Sequence, residues 1–171
     1  NQTAVTWYKK ASKQGNANAQ FILGLRYYEG KGVTKDYQIA TENFTLAAEQ
    51  GHAKSQYQLG IMYQNELGVP KNYETSAKWY TLAAEQGHIE AQYNVGIIYH
   101  YGLGTPRNGG TAVKWHTLAA EQGHVNAQYQ LGVMFAQGDD VLEDDQVAIK
   151  WFTLAARQGN TNAQCYLGAM Y

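Results

Sequence analysis

The heptapeptide "LAAEQGH" stands at residues 46–52, at 82–88 and again at 118–124, an interval of thirty-six residues each time. A segment that returns at a fixed period of this size marks a repeat architecture. Other positions keep the same period. Gly15, Gly51, Gly87, Gly123 and Gly159 share one register, and Gln20, Gln56, Gln92, Gln128 and Gln164 share a second. Gly24, Gly60, Gly96, Gly132 and Gly168 form a third. One aromatic ladder runs Tyr27, Tyr63, Tyr99, Phe135, Tyr171; another, Trp7, Trp79, Trp115, Trp151, is broken by Asn43. No insertion disturbs the spacing.

Each period reads as two helices. In the second copy, Gln56, Leu59, Gly60 and Tyr63 recur at helical spacing and predict a helix over residues 53–65. The stretch "ELGVPKN" breaks it with Gly68 and Pro70. Asn72 then sits where an N-cap belongs, and Asp36, Asn108 and Asp144 hold the same place. Residues 73–86 form the second helix, with Ser76, Tyr80, Ala83 and Ala84 inward and Gly87 as its stop. On this reading Leu82 packs with the two alanines, while Glu85 and Gln86 face water. A single pair of short helices cannot bury its apolar face, so stacked copies share one core. The expected organisation is one domain over residues 1–171. It holds a partial repeat at 1–15, full repeats at 16–51, 52–87, 88–123 and 124–159, and a partial repeat at 160–171.

Composition excludes several functions. The 171 residues carry a formal net charge of −1, so there is no basic excess to meet nucleic acid. No apolar run is long enough for membrane insertion. Cys165 stands alone, which rules out an internal disulfide, and it reads as a buried or half-buried substitute for the tyrosines of its register. The chain opens inside a second helix and stops inside a first. The expectation is a fragment of a longer array, or end-to-end self-association with a copy.

"AQYQLGVMFAQG", "GVTKDYQIA" and "WYTLAAEQGH" resemble the Sel-1-like repeat, a relative of the tetratricopeptide repeat, and the resemblance covers essentially the whole chain. It implies an all-α, right-handed superhelical solenoid of antiparallel helix pairs, with first helices on the concave side. It also implies a scaffold or adaptor role without catalytic residues, and it favours a bacterial periplasmic or secreted setting. The paired cysteines of the family's cysteine-rich branch are absent. Three places depart from the pattern: Gly109-Gly110 at the start of a second helix, His116 in the place of Phe44, Tyr80 and Phe152, and the acidic loop "GDDVLEDD" at 138–145. The two glycines predict a second helix that begins late or frays after Asn108.

No catalytic or metal site is expected, and no cofactor. Equivalent residues of stacked repeats lie about 10 Å apart, whereas zinc ligands sit within about 2 Å of the ion, so His52, His88 and His124 cannot share one. They read as turn residues, as do Asn16 and Asn160. The acidic loop lacks EF-hand spacing and reads as solvated, with Asp144 as a cap and Arg107 opposite Glu143 as a cross-repeat ion pair. Ser12, Ser55 and Ser76 occupy no nucleophile elbow. The repeated glutamines read as buried amides bonded to a neighbouring repeat's backbone.

The first helices' outer face is the candidate binding surface for a protein or peptide partner. Leu25, Ile61, Ile97 and Val133 make an aliphatic ladder along it, either a groove floor or packing between helices. Tyr57, Tyr93 and Tyr129 flank the ladder, and Gln58, Asn94 and Gln130 supply amides. His100 and Tyr101 lie beside Ile97, the central anchor. A glycan would suit the same tyrosines and amides, so a carbohydrate-binding module is the alternative reading. A hydrolase acting on penicillin-type substrates, as attached to cysteine-rich relatives, is a third.

Overall fold

Four acidic or amide side chains start the second helix of each pair. Asp36, Asn72, Asn108 and Asp144 each take extended backbone and accept a hydrogen bond from the N–H three residues on, at 2.8–3.0 Å. That satisfies an amide which the helix itself leaves unbonded. The structure is a computed structural model that describes residues 2–170; Tyr171, the last rung of the aromatic ladder, lies outside the described residues.

Among the described residues there are ten helices and no strands. They are α1 (Gln2–Lys13), α2 (Ala17–Glu29), α3 (Tyr37–Ala48), α4 (Ala53–Asn65), α5 (Tyr73–Glu85), α6 (Ile89–Tyr101), α7 (Gly109–Glu121), α8 (Val125–Gln137), α9 (Asp145–Arg157) and α10 (Thr161–Met170). The all-helical pairing expected from the period is what the chain adopts. Its contacts fall into two compact units, residues 1–88 and 89–171. In the first unit, α1 through α5 pack each on the next; in the second, α6 through α10 do the same. No described helix is long and apolar enough to cross a membrane.

The core is built on a glycine facing a ring. Gly24, Gly60 and Gly132 lie under Phe44, Tyr80 and Phe152, and a β-carbon on any of them would meet the ring at 2.5–2.6 Å. Glycine inside a helix costs about 0.5–1 kcal/mol relative to alanine. Full burial of the ring returns about 1.5–3 kcal/mol, so the close approach wins. Phe44, Tyr80 and Phe152 are all buried, as are Ser55 and Ser76. The Ser76 hydroxyl donates to the Gly60 carbonyl at 2.7 Å.

The recurring heptapeptide now resolves residue by residue. Its two alanines are buried in every copy. Its leucine is not: Leu46, Leu82 and Leu118 are 48%, 42% and 36% exposed, contrary to the sequence expectation. The inward stripe is 76, 80, 83 and 84, and Leu82 falls on the far side of the helix from it. The glutamine is exposed, as expected, and its amide nonetheless finds a partner. Gln86 donates from Nε2 to Gln56 Oε1 at 2.7 Å, and Gln56 Nε2 donates to the Ala48 carbonyl of the preceding repeat at 3.2 Å. Gln50–Gln20 and Gln158–Gln128 repeat the relay, ending on the Ser12 and Ala120 carbonyls. Gly51, Gly87 and Gly123 turn the chain at φ 83°, 85° and 89°.

The histidine then does two things. His52 Nδ1 accepts from the Ser55 N–H, and His124 Nδ1 from the Ala127 N–H, while Asn16 and Asn160 cap in the same way. Its ring also meets the aromatic residue of the preceding first helix. Phe21 lies 4.8 Å from His52, Tyr57 stacks on His88 at 4.5 Å and Tyr93 on His124 at 4.6 Å.

Candidate functional site

The three departures from the repeat pattern converge in the second unit. Gly109 opens α7 in full register behind its Asn108 cap, so the helix does not begin late. The reason lies in the acidic loop. In the first unit Gly68 packs directly on the backbone of Tyr37. The equivalent contact in the second unit has its bulk exchanged: Asp140 stands where Gly68 does, Gly109 where Tyr37 does. The Asp140 side chain fills the space that a Gly109 β-carbon would take. Asp140 keeps the left-handed backbone of its register at φ 63°, a conformation Asp adopts more readily than most residues.

From there Asp140 and Asp139 face Arg107. The guanidinium donates through Nη2 to Asp139 Oδ1 and to Asp140 Oδ2, both at 2.6 Å, and through Nε to Asp140 Oδ2 at 3.0 Å. These bonds raise the Arg107 pKa further, Asp140 contributing first. The ion pair expected with Glu143 is thus made with the two aspartates instead. On their other side stands His100, with Nε2 3.5 Å from Asp139 Oδ2 and Nδ1 4.0 Å from Asp140 Oδ2.

His116 forms the wall beneath. It is 1% exposed, and burial, followed by the charges of His100 and His124, pushes its pKa down to about 4. The ring is therefore a neutral imidazole at neutral pH. His100, His116 and Asp139 line a cleft of about 280 Å³ together with Tyr101, Gln130, Val133, Met134 and Gln137.

Four residues of the candidate binding surface thus meet in one place: His100, Tyr101, Gln130 and Val133. Tyr101 is 60% exposed. The amides of Gln130 and Gln137 bond to no other described residue. The remaining candidates are distributed differently. Leu25, Ile61, Ile97 and Val133 are half-buried; Leu25 packs on the core of the first unit and Val133 on that of the second. Tyr57 and Tyr93 each hold a ring face against a histidine, and Tyr129 packs near Phe152 and Tyr166. Gln58 and Asn94 are half-buried. Cys165 is exposed, not buried, because α10 has no following helix among the described residues to cover it. None of Ser12, Ser55, Ser76 and Cys165 lines the cleft.

Among the described residues, ten helices in succession, with glutamine relays between repeats and His, Asn or Asp side chains as caps, define an all-helical repeat protein. A Sel1 repeat profile matches residues 1–16, 17–52, 53–88, 89–124 and 125–160, and the chain belongs to the Sel1 repeat family. Members of that family are typically protein-interaction scaffolds. A protective antigen present in uropathogenic Escherichia coli strains, displaying an SLR fold, is 41% identical over 98% of this chain, with a TM-score of 0.94. The chain spans 36% of that protein's length. A Sel1 repeat protein from Oxalobacter formigenes is 35% identical over 99% of the chain and 68% of its own, with a TM-score of 0.86. An immunity protein from Pseudomonas aeruginosa is 26% identical over 93% of the chain and 58% of its own, at a TM-score of 0.57. No curated protein sequence matches the chain.

Proposed function

We propose that the chain is a protein-interaction module that takes an extended segment of a partner protein on its first-helix face, with the cleft of the second unit as the anchoring point. One observation carries this reading: an exposed aromatic ring, Tyr101, stands beside the unbonded amides of Gln130 and Gln137 at the mouth of a cleft with an apolar wall. An aromatic anchor rimmed by amides suits a peptide, whose backbone needs both donors and acceptors. Val133 and Met134 offer the apolar contact. In the first unit Ile61 and Gln58 hold the same registers and are half-buried.

The carbohydrate reading is weaker on this geometry. A sugar ladder needs free ring faces, and Tyr57 and Tyr93 have one face each against a histidine. A hydrolase reading lacks a nucleophile at the cleft, where no serine or cysteine stands.

The test uses Tyr101 and not Ile97, because Ile97 is half-buried and its loss would disturb packing. Peptides selected from a phage-displayed random library against the whole chain should bind wild type and lose at least about tenfold affinity to Tyr101→Ala, as hot-spot truncations do. The melting temperature of that variant should stay near wild type, as for other surface changes. Selection that yields no peptide dependent on Tyr101 or Gln130 would sink the proposal.

A further inference from the structure

In the second repeat, positions 64 and 80 hold Gln and Tyr, and the Tyr80 hydroxyl donates to Gln64 Oε1 at 2.8 Å. In the third repeat the same two positions hold His100 and His116. There the pairing is lost. Nδ1 of His100 and Nδ1 of His116 are both buried and have no hydrogen-bond partner. An unsatisfied buried polar atom is destabilising, so two on residues that line one cleft need a reason. Plain core packing would be served by Phe at position 116, which is what the first and fourth repeats carry at Phe44 and Phe152.

We infer that the cleft of the second unit binds a divalent transition-metal ion of the zinc class through His100, Asp139 and Asp140. One ligating atom from each of the three lies within 4.8 Å of the others. Imidazole nitrogen with carboxylate oxygen is a donor set that suits zinc and its neighbours, with bonds of about 2.0–2.2 Å. Sites with three protein ligands keep a further position for water. The cleft has room for it, since a water occupies about 30 Å³ of liquid.

Arg107 does not preclude the ion. Asp139 spends Oδ1 on Arg107 and turns Oδ2 toward His100, so its two oxygens face different partners. The Arg107 side chain is 53% exposed, and an ion pair open to water is weak. It competes for Asp140 Oδ2 and can yield to a doubly charged ion. This assignment requires no peptide and stands apart from the interaction reading above.

The experiment is a titration of the whole chain, stripped of metal, with Co²⁺ followed by its visible absorption, then displacement with Zn²⁺ followed by calorimetry. The expected result is one ion per chain. His100→Gln and Asp139→Asn should each lose at least about 10–100-fold in affinity, the range that even outer-shell losses cost. Gln is the residue that the second repeat carries at this position, so the His100→Gln fold should persist, as its melting temperature without metal will report. Arg107→Gln removes a competing cation and should tighten binding. Absence of binding overturns the inference. So does binding that His100→Gln and Asp139→Asn leave unchanged, which would place the ion on other histidines. Weaker binding by Arg107→Gln would overturn the carboxylate ligands.

Discussion

Gly109 and Asp140 occupy complementary halves of one contact: the side chain that position 109 lacks is replaced by the one that position 140 has. Gly109→Ala should therefore overpack the joint and cost about 1–3 kcal/mol. In an Asp140→Gly background the same change should be neutral or stabilising, since alanine outranks glycine in a helix by about 0.5–1 kcal/mol. Urea denaturation of the four proteins of the cycle measures the coupling. Equal costs in both backgrounds would show that the two positions do not share the space.

Gly60 and Gly168 share a register but not an environment. A β-carbon on Gly60 meets the Tyr80 ring at 2.5 Å, whereas nothing lies within 4 Å of one on Gly168. Gly60→Ala should destabilise by about 1–3 kcal/mol through overpacking. Gly168→Ala should stabilise α10 by up to about 1 kcal/mol. Thermal melts of the two variants, shifted in opposite directions, are the expected readout.

The helix-capping histidines make stability depend on pH. Burial, then the charge of Lys54, holds the His52 pKa below its usual value. The cap uses the neutral ring, whose Nδ1 accepts from the Ser55 N–H. In the unfolded chain the imidazole takes its proton near pH 6.5. Below about that pH the unfolded state binds the proton first, so this contribution falls with pH until the depressed folded pKa is reached. His52→Asn keeps the cap, as Asn16 does in the same register, and should flatten the stability profile below about pH 6.5. An unchanged slope in denaturation from neutral to mildly acidic pH would contradict it.

Gln56 should matter more than its polarity suggests. Its amide accepts from Gln86 and donates to the Ala48 carbonyl, and the side chain is buried. Gln56→Ala leaves the Gln86 amide without that partner and opens a void, for an expected loss of about 1–3 kcal/mol. Gln58→Ala, two residues away and in no such relay, should cost less. Comparable losses at both positions would mean that the relay contributes nothing of its own.

The repeat, the helix starts and the stops were legible because each is local. A capping Asp or Asn, a turning glycine and a helical stripe all declare themselves within a few residues. The cleft was not, although every part of it was visible. His116, Gly109 and the loop at 138–145 read as three separate blemishes, and His100 as an outward residue. What joins them is an offset between repeats: Asp140 meets Gly109 as Gly68 meets Tyr37, thirty-one positions apart in both cases (140 − 109 and 68 − 37). That offset depends on how one helix pair rests on the next, which periodicity alone does not contain. The leucine of the heptapeptide failed for a related reason. Apolar character suggested burial, but Leu82 lies off the stripe that Tyr80 and Ala83 define.

The glutamine relay also bears on how such a chain changes its length. Gln20 docks on the Ser12 carbonyl just as Gln56 docks on that of Ala48. Plug and socket are therefore the same at successive joints. Excising residues 17–52 would bring Gln56 to the Ser12 carbonyl with Asn16 still in place as the cap. A duplication or loss of one whole period leaves matching connectors on both sides, whereas any other indel splits a plug from its socket. Recombination between copies can thus alter reach without redesigning a joint, leaving single positions such as 100, 116 and 140 free to specialise within a copy.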